Sequence, residues 1–454
     1  MIKPGLATAM RAGILVSLLL ALPLCRPAAA EPATSCATAS CHADLTAFAH
    51  PHSALAEGDC LACHQQQSPE HPLKGGKSFA LVAEGAQLCY QCHDPMRGRT
   101  VHDPVRSGEC TACHNPHGSN NPNLLPVADD QTALCLECHD SALTKGQYVH
   151  GPTAVGACNQ CHAAHQSDQP KLLKKAAKDL CVQCHTDMAE GLANAPYTHT
   201  AVKESSCNAC HDPHSSANPR LLKHAMPDLC TDCHTEIGEK AQRSKVKHTA
   251  MYREQKCGAC HSTHFSDYPG LLPGPQQEVC LSCHGQDDFS KTDALKNIRK
   301  ELEKKQFLHG PLEKGECAAC HDPHGSDNVR LLNGPYPGGL YLPYKKGAYD
   351  FCLQCHDKNL LRFPDTSIYT EFRNGKQNLH YVHVANKWKG RTCRACHSPH
   401  ASNLENLISE DGAKFGDWNI PTRYQKTETG GSCAPGCHRS YTYDRQNPVS
   451  YEQE

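Results

Sequence analysis

The sequence predicts an irregular fold of short α-helices and loops repeated as an elongated array, with little or no β-sheet. Three observations predict it. Cysteine 31 and histidine 32 stand against phenylalanine 9 and tryptophan 2 in 454 residues, so ligand side chains far outnumber the large residues that fill an ordinary core. A Cys-x-x-Cys-His pentapeptide recurs at a near-constant period along the chain, and each period is too short to bury itself, which argues for repeats stacked in a line. Between the pentapeptides lie Pro, Gly, Asn, Asp and Ser with isolated apolar pairs, among them Leu124-Leu125, Leu172-Leu173, Leu221-Leu222, Leu271-Leu272 and Leu331-Leu332. That is the composition of loops.

Residues 1–30 carry Lys3 and Arg11, an apolar run from Gly13 to Leu24 and the small-residue end Ala28-Ala29-Ala30. They read as a signal peptide cut before Glu31, because the run is too short to cross a bilayer. Cys25 offers a lipid anchor as the alternative, and the bulk of Leu24 before it speaks against that. The expected location is exported, periplasmic or associated with the outer membrane. Removing Lys3, Arg11 and Arg26 takes the formal charge from -2 to -5, which argues against nucleic acid as a partner.

Cys-x-x-Cys-His is the attachment signature of haem c: two thiols add across the two vinyl groups, and the adjacent histidine becomes an axial ligand of the iron. Thirteen regular motifs are present. Their cysteines are Cys60/Cys63, Cys89/Cys92, Cys110/Cys113, Cys135/Cys138, Cys158/Cys161, Cys181/Cys184 and Cys207/Cys210. Cys230/Cys233, Cys257/Cys260, Cys280/Cys283, Cys317/Cys320, Cys352/Cys355 and Cys393/Cys396 complete them. Two wider versions, Cys36/Cys41 and Cys433/Cys437, bring the total to 15, and together the motifs use every cysteine except Cys25. Disulfides or zinc would account for paired cysteines, but neither accounts for the histidine that follows each pair. Local disulfides remain the competing reading at the two wider sites. The array is thus expected to wrap around stacked c-type haems, about 15 of them, covalently attached.

The motif histidines are the proximal iron ligands: His42, His64, His93, His114, His139, His162, His185, His211, His234, His261, His284, His321, His356, His397 and His438. Seven others precede each leading cysteine by 8 to 10 residues, namely His52, His102, His150, His199, His248, His309 and His383. Six follow a motif histidine by three: His117, His165, His214, His264, His324 and His400. Gln67 takes that place in the first repeat, with His71 the nearest substitute, and His50 is assigned to the lone N-terminal site. These 15 are the candidate distal ligands; His224 and His380 are left over. Methionine ligation is disfavoured because only Met96, Met188, Met226 and Met251 follow residue 30.

The expected organisation is a single-haem segment over 31–52, regular paired repeats over 53–285, a charged helical insertion over 286–308, stretched paired repeats over 309–438 and a tail over 439–454. Leading cysteines Cys60, Cys110, Cys158, Cys207, Cys257, Cys317 and Cys393 are spaced by 50, 48, 49, 50, 60 and 76 residues. Within Thr292 to Gln306, Leu295, Ile298 and Leu302 recur at helical spacing, which predicts an amphipathic helix capped by Ser290 or Thr292. Asn333 to Tyr349 and Ala401 to Ser432 read as ordered loops, the kind of place where partner functions are added.

Units such as Cys110 to His117 and Cys317 to His324 resemble those of the doubled-CxxCH multihaem cytochromes of metal-respiring and related bacteria, whose members include porin-conduit decahaem cytochromes and periplasmic electron carriers. The resemblance implies redox partner proteins, with an outer-membrane porin and an extracellular cytochrome as candidates. This chain departs from the decahaem pattern in its 15 sites and stretched C-terminal third. The expected role is a haem wire carrying electrons across the periplasm or outer membrane toward an extracellular or terminal acceptor, with no catalytic residues. Two alternatives are a subunit of an extracellular cytochrome filament and a reductase of nitrite, hydroxylamine or a sulfur oxyanion. The second needs an open iron, often with lysine in place of the motif histidine, and no CxxCK occurs.

Overall fold

The computed structural model describes residues 36–37, 41–128, 130–204, 207–253, 256–289 and 294–451. The proposed signal peptide and the caps Ser290 and Thr292 lie outside them. The chain divides into two compact bodies, one formed by residues up to 96 with 103–128 and the other by 97–102 with the residues from 129 on.

One local plan recurs in both. In the third repeat a two-residue strand, Tyr148–Val149, leads into His150 and the short helix Gly151–Ala154, whose early proline is pre-set for a first turn. The motif itself is a 3-10 turn, Cys158–Gln160, and a strand follows at Gln166–Ser167. A tight turn at Pro170–Leu172 comes next, then the helix Ala177–Cys181 that opens the second motif.

The apolar pairs mark that tight turn. Lys171 and Leu172 both take left-handed backbone (φ 54° and 57°), as do Asn123-Leu124, Arg220-Leu221, Gly270-Leu271, Arg330-Leu331 and Asn406-Leu407 at the equivalent places. Left-handed backbone costs an L-residue roughly 1–2 kcal/mol, so something must hold six such turns in place. A serine two residues after the third-position histidine does so: Ser167 Oγ donates to Leu173 O at 2.5 Å, Ser216 to Leu222 O at 2.5 Å and Ser326 to Leu332 O at 2.6 Å.

The two-residue strands before the upstream histidines join successive repeats. Tyr148–Val149 pairs antiparallel with Ser215–Ser216 of the fourth repeat, with Val149 opposite Ser215. His50–Pro51 pairs likewise with Gly118–Ser119, Thr100–Val101 with Gln166–Ser167, Tyr197–Thr198 with Phe265–Ser266, and Phe307–Leu308 with Ala401–Ser402. The fold is therefore irregular and mostly loop, as expected, with many two-residue strands and three nine-residue helices, Thr186–Asn194, Thr235–Arg243 and Gln276–His284.

Among the described residues no apolar side chain before Ala241 is buried. Eight of the ten buried apolar residues follow residue 340, around a cluster of Tyr349, Leu361 and Val384. The late insertions build that core. Tyr341–Leu342 pairs with Gly390–Arg391, so Asn333 to Tyr349 is part of a small sheet. The expected loop over 401–432 contains a hairpin of Ala413–Phe415 and Trp418–Ile420. Residues expected as a tail supply the third strand, Tyr441–Asp444, of a sheet with Gln425–Lys426 and Gly430–Cys433. Gly430 is required there, since a Cβ would lie 1.8 Å from Tyr443 O. The helical insertion is shorter than its periodicity predicts: among the described residues of the segment only Ile298–Leu302 is helical, capped by Asn297, whose side chain accepts from Lys300 N. Ion pairs of Lys300 with Asp287 and of Arg299 with Glu278 fold its charged side back onto the preceding segment instead of extending the helix.

Candidate cofactor sites

The histidines fall into facing pairs, each joining one motif histidine to one outside the motifs. The histidine upstream of a repeat faces the second motif histidine of the same repeat: His52–His93, His102–His139, His150–His185, His199–His234, His248–His284 and His309–His356, with ring centroids 6.0 to 6.2 Å apart. The third-position histidine faces the first motif histidine one repeat earlier: His64–His117, His162–His214, His211–His264, His261–His324 and His321–His400, at 6.0 to 6.4 Å. Two further pairs lie in the N-terminal segment and the last repeat, His42–His71 at 5.9 Å and His380–His397 at 6.4 Å.

These two pairs differ from the sequence reading. His71, not His50, faces His42; the hairpin of His64–Gln66 with Phe79–Leu81 folds the chain back, and the His71 ring packs edge-on against Phe79. His50 sits exposed opposite Ser119 in a strand pair. His380, left over in the sequence, faces His397 from the helix Leu379–Val384. His383 lies on the same helix near His438; burial lowers its imidazole below the ordinary range, and His438 is among the neighbours that add to this. His114 and His165 belong to different bodies, and each keeps the regular backbone position of its repeat.

The ring chemistry suits ligation. Nδ1 of His162 contacts Lys171 O at 2.9 Å, and the same contact, nine residues on, joins His114 to Asn123, His211 to Arg220, His261 to Gly270, His321 to Arg330 and His397 to Asn406 at 2.8 Å. A carbonyl only accepts, so Nδ1 carries the proton and Nε2 the lone pair. The left-handed turns thus aim a carbonyl at each ring and set its tautomer. Burial, then the facing imidazole, lowers the basicity of His117, His199, His264 and His309, and of His380 to about 4, which keeps these rings neutral.

Cysteines of successive repeats meet. Hydrogen-bond contacts join Cys36 with Cys60, Cys89 with Cys110, Cys181 with Cys207, Cys230 with Cys257, Cys280 with Cys317 and Cys352 with Cys393. The bond from Cys230 pulls the Cys257 thiol down to about 6, and the bond from Cys280 pulls Cys317 to about 7. Between successive repeats, backbone bonds join the upstream histidine of one to the third-position histidine of the next: His52 N donates to His117 O, His150 N to His214 O and His199 N to His264 O, each at 2.9 Å, and His309 N to His400 O at 3.0 Å.

The attachment cysteines differ in placement. In the second motif of each repeat the first cysteine is half-buried, whereas the second, at Cys92, Cys138, Cys184, Cys233, Cys283 and Cys355, is exposed. Both thiols of the N-terminal site, Cys36 and Cys41, are exposed as well, and so is Cys437 of the last. In the first motifs both cysteines are half-buried, because the chain returns over them after the tight turn: Lys174 N donates to Cys161 O, Lys223 N to Cys210 O and Asn333 N to Cys320 O, each at 2.9 Å. After a second motif the chain runs on toward the next repeat, as in the helices Thr186–Asn194 and Thr235–Arg243, and leaves that thiol outside. Cys437 differs from its half-buried partner because Cys433 is held in a strand opposite Tyr441, while the longer spacing carries Cys437 out of the sheet to within 3.5 Å of Tyr341 Oη. Exposure does not remove these cysteines from the attachment set, since a thiol must be accessible to react.

Three observations test the fit to haem c. An imidazole nitrogen bonds a metal at roughly 2 Å, so two imidazoles on opposite faces of one iron hold their ring centres about 6 Å apart, the spacing found. No cluster of three or more His, Cys, Asp or Glu among the described residues could hold a bare metal ion, and no disulfide joins the described cysteines. A chain with no buried apolar side chain among the described residues of its first 240 also needs an inserted apolar body to fold around.

No curated protein matches the chain. The doubled CXXCH motif family matches it six times, at residues 52–98, 102–144, 150–190, 199–239, 248–289 and 309–360. These segments cover more than half of the chain, each spanning one upstream histidine and both motifs of a repeat. The chain therefore belongs to the doubled CXXCH motif family and is a multihaem c-type cytochrome that binds haem c covalently.

Proposed function

We propose that the protein is an electron carrier in which 15 haem c groups, each held between two imidazoles, form a row from which electrons pass to a terminal or extracellular acceptor, and that it works in an exported compartment between redox partner proteins. When bound, haem c supplies a one-electron iron couple. The chain supplies two facing imidazoles at 13 of the sites and two thiols at each motif.

The observation that carries this reading is the set of 13 facing histidine pairs, every one combining a motif histidine with a histidine from elsewhere. Sites saturated by two imidazoles offer no position for a substrate, which favours transfer over reduction of a small oxyanion. The first site, with His71 opposite His42, and the first site of the last repeat, with His380 opposite His397, are each closed by a histidine of this chain. A filament subunit that borrows a neighbour's histidine has no need to do so at these sites, which favours a discrete conduit or shuttle.

The test is a haem count by pyridine haemochrome with electron paramagnetic resonance (EPR) of the oxidised protein. A count close to 15, all low-spin, is expected. Seven or fewer haems, or a dominant high-spin signal that binds cyanide, overturns the reading. Copurification of a β-barrel from detergent-solubilised envelopes separates a porin conduit from a soluble shuttle.

A further inference from the structure

We infer that Glu301, carried by the ten-residue expansion between the fifth and sixth repeats, is a positioning residue for His400 that sets the site of His321 and His400 apart electronically from the others; this rests on the ligand reading above. Glu301 Oε1 lies 3.4 Å from Nδ1 of His400, and the carboxylate is only 16% exposed. Lys296 Nζ holds the other oxygen at 2.7 Å. The same segment is tied down beside His400: Lys305 pairs with Glu410, Gln306 N donates to Asn403 Oδ1 at 3.1 Å, and Phe307–Leu308 pairs with Ala401–Ser402.

At His214 and His324 the neighbouring carboxylate is placed differently. His214 and His324 have aspartates two residues away, but these stand 3.9 and 3.7 Å from Nδ1 and instead accept from the histidine backbone N–H at 3.0 Å. The ring geometry differs at the same place. Among the pairs made with a first-motif histidine, His321 and His400 are inclined by 42°, whereas His64–His117, His162–His214, His211–His264, His261–His324 and His380–His397 lie within 11 to 19° of parallel.

A carboxylate drawing on Nδ1–H makes the imidazole a stronger donor through Nε2. A stronger donor favours the oxidised state of the metal it holds, so this site has a lower potential than its neighbours. His321 is also hydrogen-bonded through Nδ1, to Arg330 O at 2.8 Å, so both imidazoles of the pair are anchored from behind. The extra residues before the sixth repeat thus give the site of His321 and His400 a buried carboxylate behind one imidazole.

The experiment compares the full-length holoprotein with H400A and E301Q. H400A tests the ligand reading and is expected to convert one low-spin site to high-spin; no high-spin site sinks that reading and the inference with it. E301Q tests the inference alone. It is expected to keep the full haem count and all-low-spin state while shifting one EPR component toward those of the near-parallel pairs and raising the midpoint potential of one site. Spectra and reductive titration identical to wild type would overturn it. Should E301Q lose haem, Glu301→Asp, which draws the carboxylate back from His400, is expected to shift the same single component, and an unshifted spectrum again overturns the inference.

Discussion

The ring of His117 faces His64, with centroids 6.2 Å apart and planes 16° from parallel, although the motif histidine His114 stands only three residues away in sequence. His214, His264, His324 and His400 likewise face the first motif histidine of the preceding repeat, not that of their own. His117→Ala should therefore open the site of Cys60/Cys63 and leave that of Cys110/Cys113 intact. EPR should show one high-spin, cyanide-binding haem. Adding Cys60→Ala and Cys63→Ala should abolish that signal, and adding Cys110→Ala and Cys113→Ala should leave it.

The N-terminal site separates two neighbouring histidines. His71→Ala should create one high-spin haem, because His71 faces His42. His50→Ala should leave the spectrum unchanged, because His50 is an exposed strand residue opposite Ser119. Optical spectra of the oxidised variants with and without cyanide check both.

Asn378 should be the most sensitive polar residue of the C-terminal core. It is fully buried; its amide donates to Leu360 O at 3.0 Å and Phe363 O at 2.9 Å and its oxygen accepts from Tyr381 N at 3.1 Å. It caps the helix that carries His380 and His383. Asn378→Ala strands these buried groups and removes the cap, at a cost of about 3 kcal/mol. Denaturant unfolding should register the loss, and the low-spin components of the last two sites should broaden while the rest stay unchanged.

The left-handed turns predict a gain. Lys171 is exposed at φ 54°, and Gly270 occupies the same place in the fifth repeat. Lys171→Gly should stabilise that turn by about 1 kcal/mol, whereas Lys171→Val, with a branched Cβ at positive φ, should weaken it and release the carbonyl from His162. Exchange of the His162 Nδ1 proton into heavy water, followed by NMR, should slow or hold in the first variant and quicken in the second.

The motifs and the histidines at fixed offsets were legible in the sequence because covalent attachment and local turns impose short-range spacing. Their pairing was not, because it is made by two-residue strands between repeats, too short to leave a periodic pattern. His380 was missed as an extra histidine in a helix that already held His383. The first-motif histidines His64, His162, His211, His261 and His321 take their facing ring from the next repeat, whereas His397 takes it from a histidine of its own repeat, which the regular offsets do not announce. The unequal exposure of paired thiols such as Cys181 and Cys184 was hidden for a related reason, since the pentapeptide is the same in both motifs and only the path of the chain beyond it differs. The shortened helix at Ile298–Leu302 has a different cause, since its apolar spacing is outweighed by charges that find partners at Asp287 and Glu278.

The interlocking of repeats also bears on how the protein is made. Synthesis runs from the first residue to the last, so the imidazole that His64 faces emerges 53 residues behind it, on His117. A growing chain thus always trails one half-built site, finished only when the following stretch arrives. The closing repeat escapes this delay, because His380 precedes His397 and is already waiting when its partner appears.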